Sequence, residues 1–406
     1  NGEPRQIPIV QSTTYCFDST EHIADLFDMP TEFMYSRFAN PTCDAVEKKI
    51  AALEGGVGAM LTSSGQSAVL CTILNLCKAG DSIVAVSTIY GGVINLLSVT
   101  LKRLGIECNW VSPDATPGQI RKAILKNTKL VFGETIANPA LRVLDIERFA
   151  KAAHEKGVPL VVDNTFATPV LCQPLKWGAD IVIHSTTKYM DGHALQVGGV
   201  IVDGGSFDWT VGDKFSDFNT PDESYHGVVY TRDFGKLAFI IKARMQIMRD
   251  LGVYQSAHAA FLLNLGLETL PVRMRQYSLN ASVVAEYLNC SDKVESVYYP
   301  GLPNSPEKKL VKKYLQNGCS GVITFVIKGG REAAVRFMDA LQLASRVVHV
   351  ADIRTCVLHP ASSTHRQATD QQLEAAGINA GMIRLSVGLE HVEDIIADIQ
   401  QALEKV

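Results

Sequence analysis

A lysine follows an apolar, strand-like run and three consecutive hydroxyl residues in the segment DIVIHSTTKYMDGH, residues 180–193. The β-branched residues between turn-forming neighbours predict a buried strand, so Lys188 lies just beyond its carboxyl end. A lysine at a strand end is most often a solvated boundary residue. The hydroxyls of Ser185, Thr186 and Thr187 beside this cation suit a phosphate instead, so a second feature is needed to decide.

An acidic residue, Asp163, ends another predicted strand, PLVVD, 25 positions before Lys188. Ligands of doubly wound sheets collect at the carboxyl ends of strands, so we expect Asp163 and Lys188 to share one site. Pyridoxal 5′-phosphate requires a lysine that forms a Schiff base and a carboxylate that keeps its pyridine nitrogen protonated. The two residues together therefore favour a pyridoxal-phosphate site over a solvated strand end.

Two glycine-containing tripeptides, SGQ at 64–66 and YGG at 90–92, each follow a strand-like run. A helix that begins at the first would direct its free backbone N–H groups and its dipole at an anion. A tyrosine raised on flexible glycines at the second could lie flat against an aromatic cofactor. Alone, both signals are weak, because Ser-Gly turns begin many helices and a surface turn explains YGG.

Two arginines lie in segments that suit anion binding. Arg384 is inside the apolar strand-like run MIRLSVG, where a guanidinium needs an acidic partner. A substrate α-carboxylate would bind it through two parallel hydrogen bonds, and a structural ion pair is the alternative. Tyr35 and Arg37 lie two positions apart in MYSRFANPT, on one face if that segment is extended, and a surface arm is the alternative there.

The elements that must position these residues follow an α/β pattern. Short apolar runs alternate with amphipathic stretches over residues 57–205, which predicts a mainly parallel sheet covered by helices. Residues 206–235 are rich in aromatics, Gly, Asp and Pro and predict a long excursion. Residues 236–290 are strongly helical, and strands and helices alternate again over 294–406, which predicts a smaller C-terminal α/β domain.

The composition is that of a globular protein with a small-molecule partner. The 406 residues are 47% hydrophobic and carry a net charge of −4, which excludes a general attraction to nucleic acid or to anionic membranes. Nine scattered cysteines, without CxxC pairs, predict reduced thiols, a cytoplasmic location and no metal site. No apolar stretch predicts a membrane span, and the first residues show no signal-peptide pattern.

The motifs, taken in order, resemble the Cys/Met-metabolism group of pyridoxal-phosphate enzymes over essentially the whole chain. They are YSRFANPT, SSGQSA, YGG, ETIANP, DNTF, HSTTKY, GGVIVD, HPASSTH and IRLSVGLE. The resemblance implies the aspartate aminotransferase type fold (fold type I), with a seven-stranded, mainly parallel sheet in the large domain. We expect an N-terminal arm at 1–39 that contacts a neighbouring subunit, a cofactor-binding domain at 40–265 and a small domain at 266–406.

The same resemblance assigns roles to individual residues. Lys188 is the Schiff-base lysine, Asp163 pairs with the pyridinium nitrogen, and Tyr90 stacks on the ring and is the best neighbouring acid or base. Other residues are implied to bind the cofactor and its phosphate, two of them, Tyr35 and Arg37, from a neighbouring subunit, or to bind substrate. The cofactor set is Tyr35, Arg37, Gly65, Gln66, Thr165, Ser185 and Thr187, and the substrate set is Asn138, Arg384 and His349.

The segments GGSFDWTVGDKF, PDESYHG and HPASSTHRQ resemble the O-acetylhomoserine sulfhydrylase subgroup. This implies γ-replacement, in which acetate leaves an amino-acid ester, O-acetyl-L-homoserine, and sulfur enters to form homocysteine or methionine. The alternative is a γ-elimination lyase acting on cystathionine or methionine, although Gly92 stands where methionine γ-lyases carry cysteine. A dinucleotide oxidoreductase would need a GxGxxG turn, which the sequence lacks. The aromatics of the excursion are candidates for a cover over the site or for a subunit contact.

One departure from the subgroup lies in RVVHVADIRT, where His349 stands in place of the expected Asn or Ser. A histidine beside the substrate carboxylate and the lysine could titrate near neutrality and alter the choice of substrate or sulfur donor, and a satisfied core histidine is the alternative.

The resemblance also implies a homotetramer built from two dimers. The sulfur donor is sulfide, a thiol or a sulfur-carrier protein.

Overall fold

The computed structural model describes residues 2–28, 32–363, 366 and 379–406. A seven-stranded sheet has the strand order β1-β7-β6-β5-β4-β2-β3, and β7 runs antiparallel to both of its neighbours. The remaining strand pairs are parallel, so the predicted mainly parallel sheet is confirmed. The strands are β1 (Gly58–Thr62), β2 (Ser82–Val86), β3 (Glu107–Val111), β4 (Thr128–Glu134), β5 (Leu160–Asp163), β6 (Ile181–Ser185) and β7 (Gly199–Asp203).

Helices cover both faces of this sheet, because its central strands are apolar on both sides. β2 and β7 are buried along their whole length, as expected for strands between two helical layers. The helices up to β6 are α1 (Thr20–Asp28), α2 (Pro41–Glu54), α3 (Gly65–Leu76), α4 (Gly91–Asn95), α5 (Leu101–Arg103), α6 (Pro117–Ala123), α7 (Ile146–His154) and α8 (Thr168–Leu171), with a π-helical turn at Leu96–Thr100 and a 3₁₀ turn at Pro174–Trp177.

The start of α3 is specified by the sequence itself. The Ser64 hydroxyl accepts a hydrogen bond from the backbone N–H of Ser67 at 3.0 Å, and the Ser67 hydroxyl accepts one from the backbone N–H of Ser64 at 2.9 Å. This reciprocal capping satisfies two of the donors that every helix start leaves free. The helix therefore begins immediately after β1, at the carboxyl edge of the sheet.

A second, five-stranded sheet has the order β10-β11-β12-β9-β8. Its strands are β8 (Val294–Tyr298), β9 (Val322–Ile327), β10 (Ser345–Arg346), β11 (Cys356–Leu358) and β12 (Met382–Ser386). The remaining helices are α9 (Ser216–Asn219), α10 (Tyr230–Phe234), α11 (Ala238–Lys242), α12 (Arg249–Leu251), α13 (Ala257–Asn289), α14 (Lys308–Tyr314), α15 (Gly330–Ala340) and α16 (Val392–Leu403), with a π-helical stretch at Ala243–Met248 and 3₁₀ turns at Glu223–Tyr225, Gly235–Leu237 and Pro360–Ser362.

The two sheets share one contiguous hydrophobic core. The predicted boundary between residues 265 and 266 falls inside α13, a single helix of 33 residues that contacts α2, which packs on β1 and β7 of the large sheet, and β8 and β9 of the small sheet. The proposed division at 1–39, 40–265 and 266–406 stays a prediction. No helix in the described ranges is long and apolar enough to cross a bilayer.

The excursion at 206–235 packs into the core, and it does not cover a site in its own chain. Trp209 stacks on Phe218 and Phe239, with ring centroids 4.7 and 5.5 Å apart. The ammonium of Lys129, near the amino end of β4, lies 5.6 Å from the Phe215 ring centroid. The rings of Phe207, Trp209 and Phe215 therefore lie toward the edge of the sheet where β4 begins, which corrects the expectation that they form a cover within one chain. The Tyr225 hydroxyl lies beside Arg249 instead, and the alternative of a subunit contact stays a prediction.

Candidate active site

A cavity of about 610 Å³ lies at the carboxyl ends of β1, β2, β4, β5 and β6, where strand-end residues of the large sheet face β11 and β12 of the small one. This is the edge where ligands of doubly wound sheets bind. The cavity brings together eleven residues that the sequence analysis singled out. They are Gly65, Gln66, Tyr90, Asn138, Asp163, Thr165, Ser185, Thr187, Lys188, His349 and Arg384.

Lys188 follows the end of β6, and its side chain is largely removed from water. Its Nζ lies 3.4 Å from Nδ1 of His349. Burial, together with the positive charge of Arg384, lowers the pKa of Lys188 to about 8. An amine with such a pKa is neutral often enough near pH 7 to act as a nucleophile or base.

Asp163 ends β5 beside Lys188 and is held by its neighbour. Its Oδ1 accepts hydrogen bonds from the backbone N–H of Thr165 at 2.9 Å and from the Thr165 hydroxyl at 2.5 Å. Among the described residues, none donates to Oδ2. Burial raises the pKa of Asp163, while the two bonds from Thr165 oppose that shift. A cationic partner at Oδ2 would offset the cost of burying this carboxylate.

Glu134 is a site residue that the sequence analysis missed. It ends β4 directly opposite Asp163 in the sheet register and is 7% exposed. Its Oε1 accepts the backbone N–H of Tyr90 at 2.7 Å, and its Oε2 accepts that of Asn138 at 3.2 Å. Burial and the neighbouring Asp163 raise its pKa well above the ordinary value. The signal was available, because an acid ends the apolar run KLVFGE in the same way as Asp163 ends PLVVD.

The start of α3 forms a recess against the end of β6. A Cβ added to Gly65 would lie 2.6 Å from Cβ of Ser185, so only glycine allows the two segments to approach this closely. Gln66 donates from Nε2 to the Gly92 carbonyl at 2.8 Å. The Thr187 hydroxyl accepts the backbone N–H of Gly198 at 3.0 Å. The start of α3 and the hydroxyls of Ser185 and Thr187 thus line one end of the cavity, where the free backbone N–H groups of a helix start favour an anion.

Tyr90 projects into the cavity with half of its surface exposed. A Cβ at Gly92 would lie 2.5 Å from Cε1 of Tyr90, so the missing side chain leaves room for the ring. Glu134 accepts a hydrogen bond from the backbone N–H of Tyr90, and the ring of Tyr90 is available to a ligand. An exposed aromatic face in a cavity of this kind suits stacking on a planar group.

Arg384 lies on β12 and faces the cavity from the small sheet. Its Nη1 donates to Oδ1 of Asn138 at 3.2 Å, and its Nη2 donates to the carbonyl oxygen of His349 at 3.1 Å. Burial lowers its pKa. Within the described ranges no carboxylate lies at ion-pair distance from this guanidinium, which argues against the structural ion pair considered for it.

Tyr35 and Arg37 do not line this cavity. Arg37 donates from Nη1 to the Arg249 carbonyl at 2.5 Å, and its guanidinium lies 5.4 Å from the Tyr35 ring centroid. Tyr35 is 42% exposed, so the pair is available to a neighbouring chain. Their predicted role in a neighbour's site stays a prediction. In the HPASSTHRQ motif, Thr364, His365 and Gln367 lie outside the described residues.

The cavity residues fit pyridoxal 5′-phosphate. Asp163 is a buried carboxylate in need of a cation, which a protonated ring nitrogen supplies. Lys188 is an amine with a lowered pKa, suited to bond an aldehyde. The recess at Gly65 can accept a phosphate, and Tyr90 can cover a planar ring. In the part of the chain that the structure describes, no cluster of three or more His, Cys, Asp or Glu residues could hold a metal ion.

Known proteins match the chain along its length. The O-acetyl-L-homoserine sulfhydrylase of Leptospira meyeri is 46% identical, over 99% of this chain and 93% of that protein. The homocysteine synthase of Schizosaccharomyces pombe is 47% identical, over 98% of this chain and 94% of that protein.

A crystal structure from Campylobacter jejuni, assigned as an O-acetylhomoserine (thiol)-lyase, superposes with a TM-score of 0.94 at 37% identity, covering 98% of this chain and 95% of that one. It contains N′-pyridoxyl-lysine-5′-monophosphate, a lysine joined to the cofactor. A sequence profile of Cys/Met metabolism PLP-dependent enzymes matches residues 2–404. With the cavity described above, these likenesses show that the chain belongs to the Cys/Met metabolism family of PLP-dependent enzymes.

Proposed function

We propose that this enzyme replaces the acetate group of O-acetyl-L-homoserine by a sulfur nucleophile. Sulfide would give homocysteine and methanethiol would give methionine, with one acetate released in each case. The observation that carries the proposal is the placement of Arg384, without a described carboxylate partner, in the same cavity as Lys188 and Asp163. The names and the 46–47% identity of the two relatives support the choice of substrate.

Arg384 and Asn138 are the proposed binding groups for the substrate α-carboxylate. Among the described residues, the guanidinium has hydrogen bonds only to the neutral oxygens of Asn138 and His349, so a carboxylate is its natural ionic partner. Glu134 holds the backbone of Asn138 and of Tyr90 at once. It therefore couples the carboxylate-binding end of the cavity to the ring-stacking end and restrains the substrate between them.

The proposed cofactor-binding residues surround Lys188. Asp163 would hold a proton at the ring nitrogen, Thr165 keeps that carboxylate oriented, and Tyr90 would cover the ring. The phosphate would lie at Gly65, Gln66, Ser185 and Thr187. When bound, pyridoxal 5′-phosphate supplies an electron sink for the charge left on the substrate when its α proton departs.

Lys188 is the proposed proton carrier. Once substrate has displaced it, the free amine would take the proton from Cα and then one from Cβ, so that acetate can leave from Cγ. Both protons return after sulfur has added. Its lowered pKa of about 8 keeps a useful fraction of the amine neutral near pH 7. Well-placed proton transfers of this kind each contribute about 10²–10⁴ in rate.

Replacement is favoured over γ-elimination by the space around Gly92. A Cβ there would lie 2.5 Å from the Tyr90 ring, so the cysteine of methionine γ-lyases would require this ring to take another position. The test is to measure 2-oxobutanoate against the sulfur-containing product at saturating sulfide, using O-acetyl-L-homoserine. We expect the sulfur product to predominate and methionine to be cleaved slowly. Predominant 2-oxobutanoate would make this enzyme a lyase.

Active sites are proposed to be completed by a second copy of the chain, in a tetramer of two dimers, with Tyr35 and Arg37 reaching a neighbour's phosphate. Their location outside the cavity of their own chain supports this arrangement. Mixing inactive Arg37→Ala and inactive Lys188→Ala subunits should restore activity, because a hybrid dimer then contains one site with both residues intact. No recovery after verified subunit exchange would contradict it.

The remaining proposals concern location and donor. All nine cysteines are free thiols, which suits the reducing cytoplasm. The donor is proposed to be sulfide, a thiol or a sulfur-carrier protein, and assaying product formation with each one separates them. The same assay with O-acetyl, O-succinyl and O-phospho esters tests the preference for acetate as the leaving group.

A further inference from the structure

His349 lies against the reactive amine, where a histidine was not expected. Its Nδ1 is 3.4 Å from Nζ of Lys188, and its side chain is 17% exposed. That separation is slightly longer than an ordinary N–H···N hydrogen bond, and such contacts commonly tighten when substrate binds. The imidazole is therefore within one hydrogen bond of the group that must carry protons.

Both the backbone and the ring of His349 have neighbours that restrict their position. The carbonyl oxygen of His349 accepts a bond from Arg384 at 3.1 Å and a longer one from Sγ of Cys356 at 3.7 Å. On the far side of the ring, Nε2 lies 3.9 Å from Oδ2 of Asp352. Asp352 is itself held by Arg354, which donates to its two oxygens at 3.0 and 2.9 Å. The imidazole thus lies between an amine and an oriented carboxylate.

This arrangement favours one tautomer. Nε2 is buried and has no hydrogen-bond partner within the described ranges, but it faces the negative charge of Asp352. A proton on Nε2 is stabilised by that charge, which leaves the lone pair of Nδ1 directed at Lys188. Nδ1 of the neutral ring can then accept a hydrogen bond from Nζ of Lys188.

The surrounding charges keep the ring neutral at rest. Burial and the positive charges of Lys188, Arg384 and Arg354 lower the pKa of His349, and Asp352 opposes them. Once Lys188 has taken a proton from the substrate, an ammonium faces the neutral acceptor. The same proton can then be shared with His349 while Asp352 stabilises the imidazolium that forms.

We propose that His349 is a proton relay for Lys188, accepting at Nδ1 the proton that Nζ has taken from Cα and thereby regenerating a neutral amine for the proton at Cβ. An N–H bond breaks at Nζ and one forms at Nδ1, so no oxidant or further reactant is needed. The proton returns by the reverse path when the product is formed. This role rests on the proposed function, because it requires Lys188 to move two protons.

Hydrogen exchange on L-norvaline in D₂O tests the relay, because this amino acid has no leaving group at its γ carbon. Exchange at Cα needs one proton transfer to Lys188, whereas exchange at Cβ needs the amine to be regenerated. We expect His349→Asn to slow Cβ exchange by about 10-fold or more relative to Cα exchange. The matched control is His154→Asn, on α7 outside the cavity, and it should change neither rate.

A second measurement does not depend on turnover. Nuclear magnetic resonance of ¹⁵N-histidine-labelled holoenzyme, with the His349 signal identified by its loss in His349→Asn, should show a deprotonated Nδ1 and a protonated Nε2 at neutral pH. Crystallography cannot readily make this distinction, because hydrogen positions on histidine are usually inferred.

Equal slowing at Cα and Cβ, a wild-type enzyme that exchanges only at Cα, or a proton on Nδ1 would each overturn the relay. Norvaline exchange involves neither acetate nor a sulfur donor. A failed replacement assay would therefore overturn the choice of reaction alone, and equal slowing at Cα and Cβ in the His349→Asn variant would overturn the relay alone. A wild-type enzyme that exchanges only at Cα would overturn the relay together with the proposed transfer of the Cβ proton to Lys188.

Discussion

Two buried lysines in this enzyme have the same lowered pKa in very different surroundings. Burial lowers the pKa of both Lys188 and Lys242 to about 8. Lys188 borders a cavity of about 610 Å³, and its Nζ lies 3.4 Å from Nδ1 of His349. Lys242, at the end of α11, is 4% exposed, donates to the carbonyl oxygen of Asn75 at 3.2 Å and lies 5.0 Å from the Phe218 ring centroid.

The comparison teaches that a depressed pKa does not by itself mark a reactive amine. Desolvation makes the neutral form accessible in both places, but only Lys188 has empty space beside it for a substrate. Lys242 is enclosed by the aromatic cluster of the excursion, and its hydrogen bonds go to the protein. The cavity and its charged groups, and not the pKa, separate a catalytic site from a structural one.

The largest expected effect comes from substituting each of the two lysines separately. Lys188→Ala should abolish turnover and the visible absorbance of the lysine-bound cofactor, because no other described lysine reaches the cavity. Lys242→Met should keep both. Activity assays and absorption spectra of the purified variants check this. An active Lys188→Ala enzyme would refute the assignment of Lys188.

The second largest effect is expected from removing the negative charge of Asp163 in the cavity that contains Lys188. Asp163→Asn should retain some cofactor but lose activity on the order of 100-fold or more, because a neutral amide cannot hold the ring-nitrogen proton. The Thr165 bonds that orient the side chain are compatible with the amide oxygen, so folding should be preserved. Steady-state kinetics at matched cofactor occupancy provide the measurement, and unchanged kcat would exclude this role.

A smaller effect is expected at the substrate-binding end of the cavity. Arg384→Ala should raise KM for O-acetyl-L-homoserine by about 10- to 100-fold, since charge-assisted hydrogen bonds are worth about 1.5–3 kcal/mol. The matched control is Arg346→Ala on β10, whose exposed guanidinium donates to the Met338 carbonyl away from the cavity. A KM that responds equally to both substitutions would remove Arg384 from the carboxylate site.

The smallest effect concerns stability and the enclosed lysine. The folded protein favours neutral Lys242 below its ordinary pKa of 10.5, so the unfolded state binds more protons between about pH 8 and pH 10.5. The free energy of unfolding of the wild type, minus that of Lys242→Met, should therefore increase with pH across this window. Urea unfolding at pH 8 and pH 10 measures it. A difference that is flat or decreasing would show that Lys242 is not held neutral.

Much of the site could be read from the sequence, because each key residue ends a recognisable element. Lys188 and Asp163 follow apolar strand runs, and Gly65 follows the serine that caps α3. Parallel strands bring their carboxyl ends to one edge, so residues in equivalent positions meet without any knowledge of side-chain packing. The family motifs and the alternation of strands with helices predicted the seven-stranded sheet for the same reason.

Other features were decided only by tertiary structure. Glu134 accepts hydrogen bonds from the backbone N–H groups of Tyr90 and Asn138. These bonds depend on the positions of the loops that follow β2 and β4. The excursion has the aromatic composition of a cover, yet its Trp209 ring is buried against Phe239, which lies outside the excursion. His349 meets Lys188 across 161 positions of sequence, because the small sheet packs over the edge of the large one. Periodicity and motifs specify elements and their ends, whereas contacts between distant side chains depend on how those elements pack.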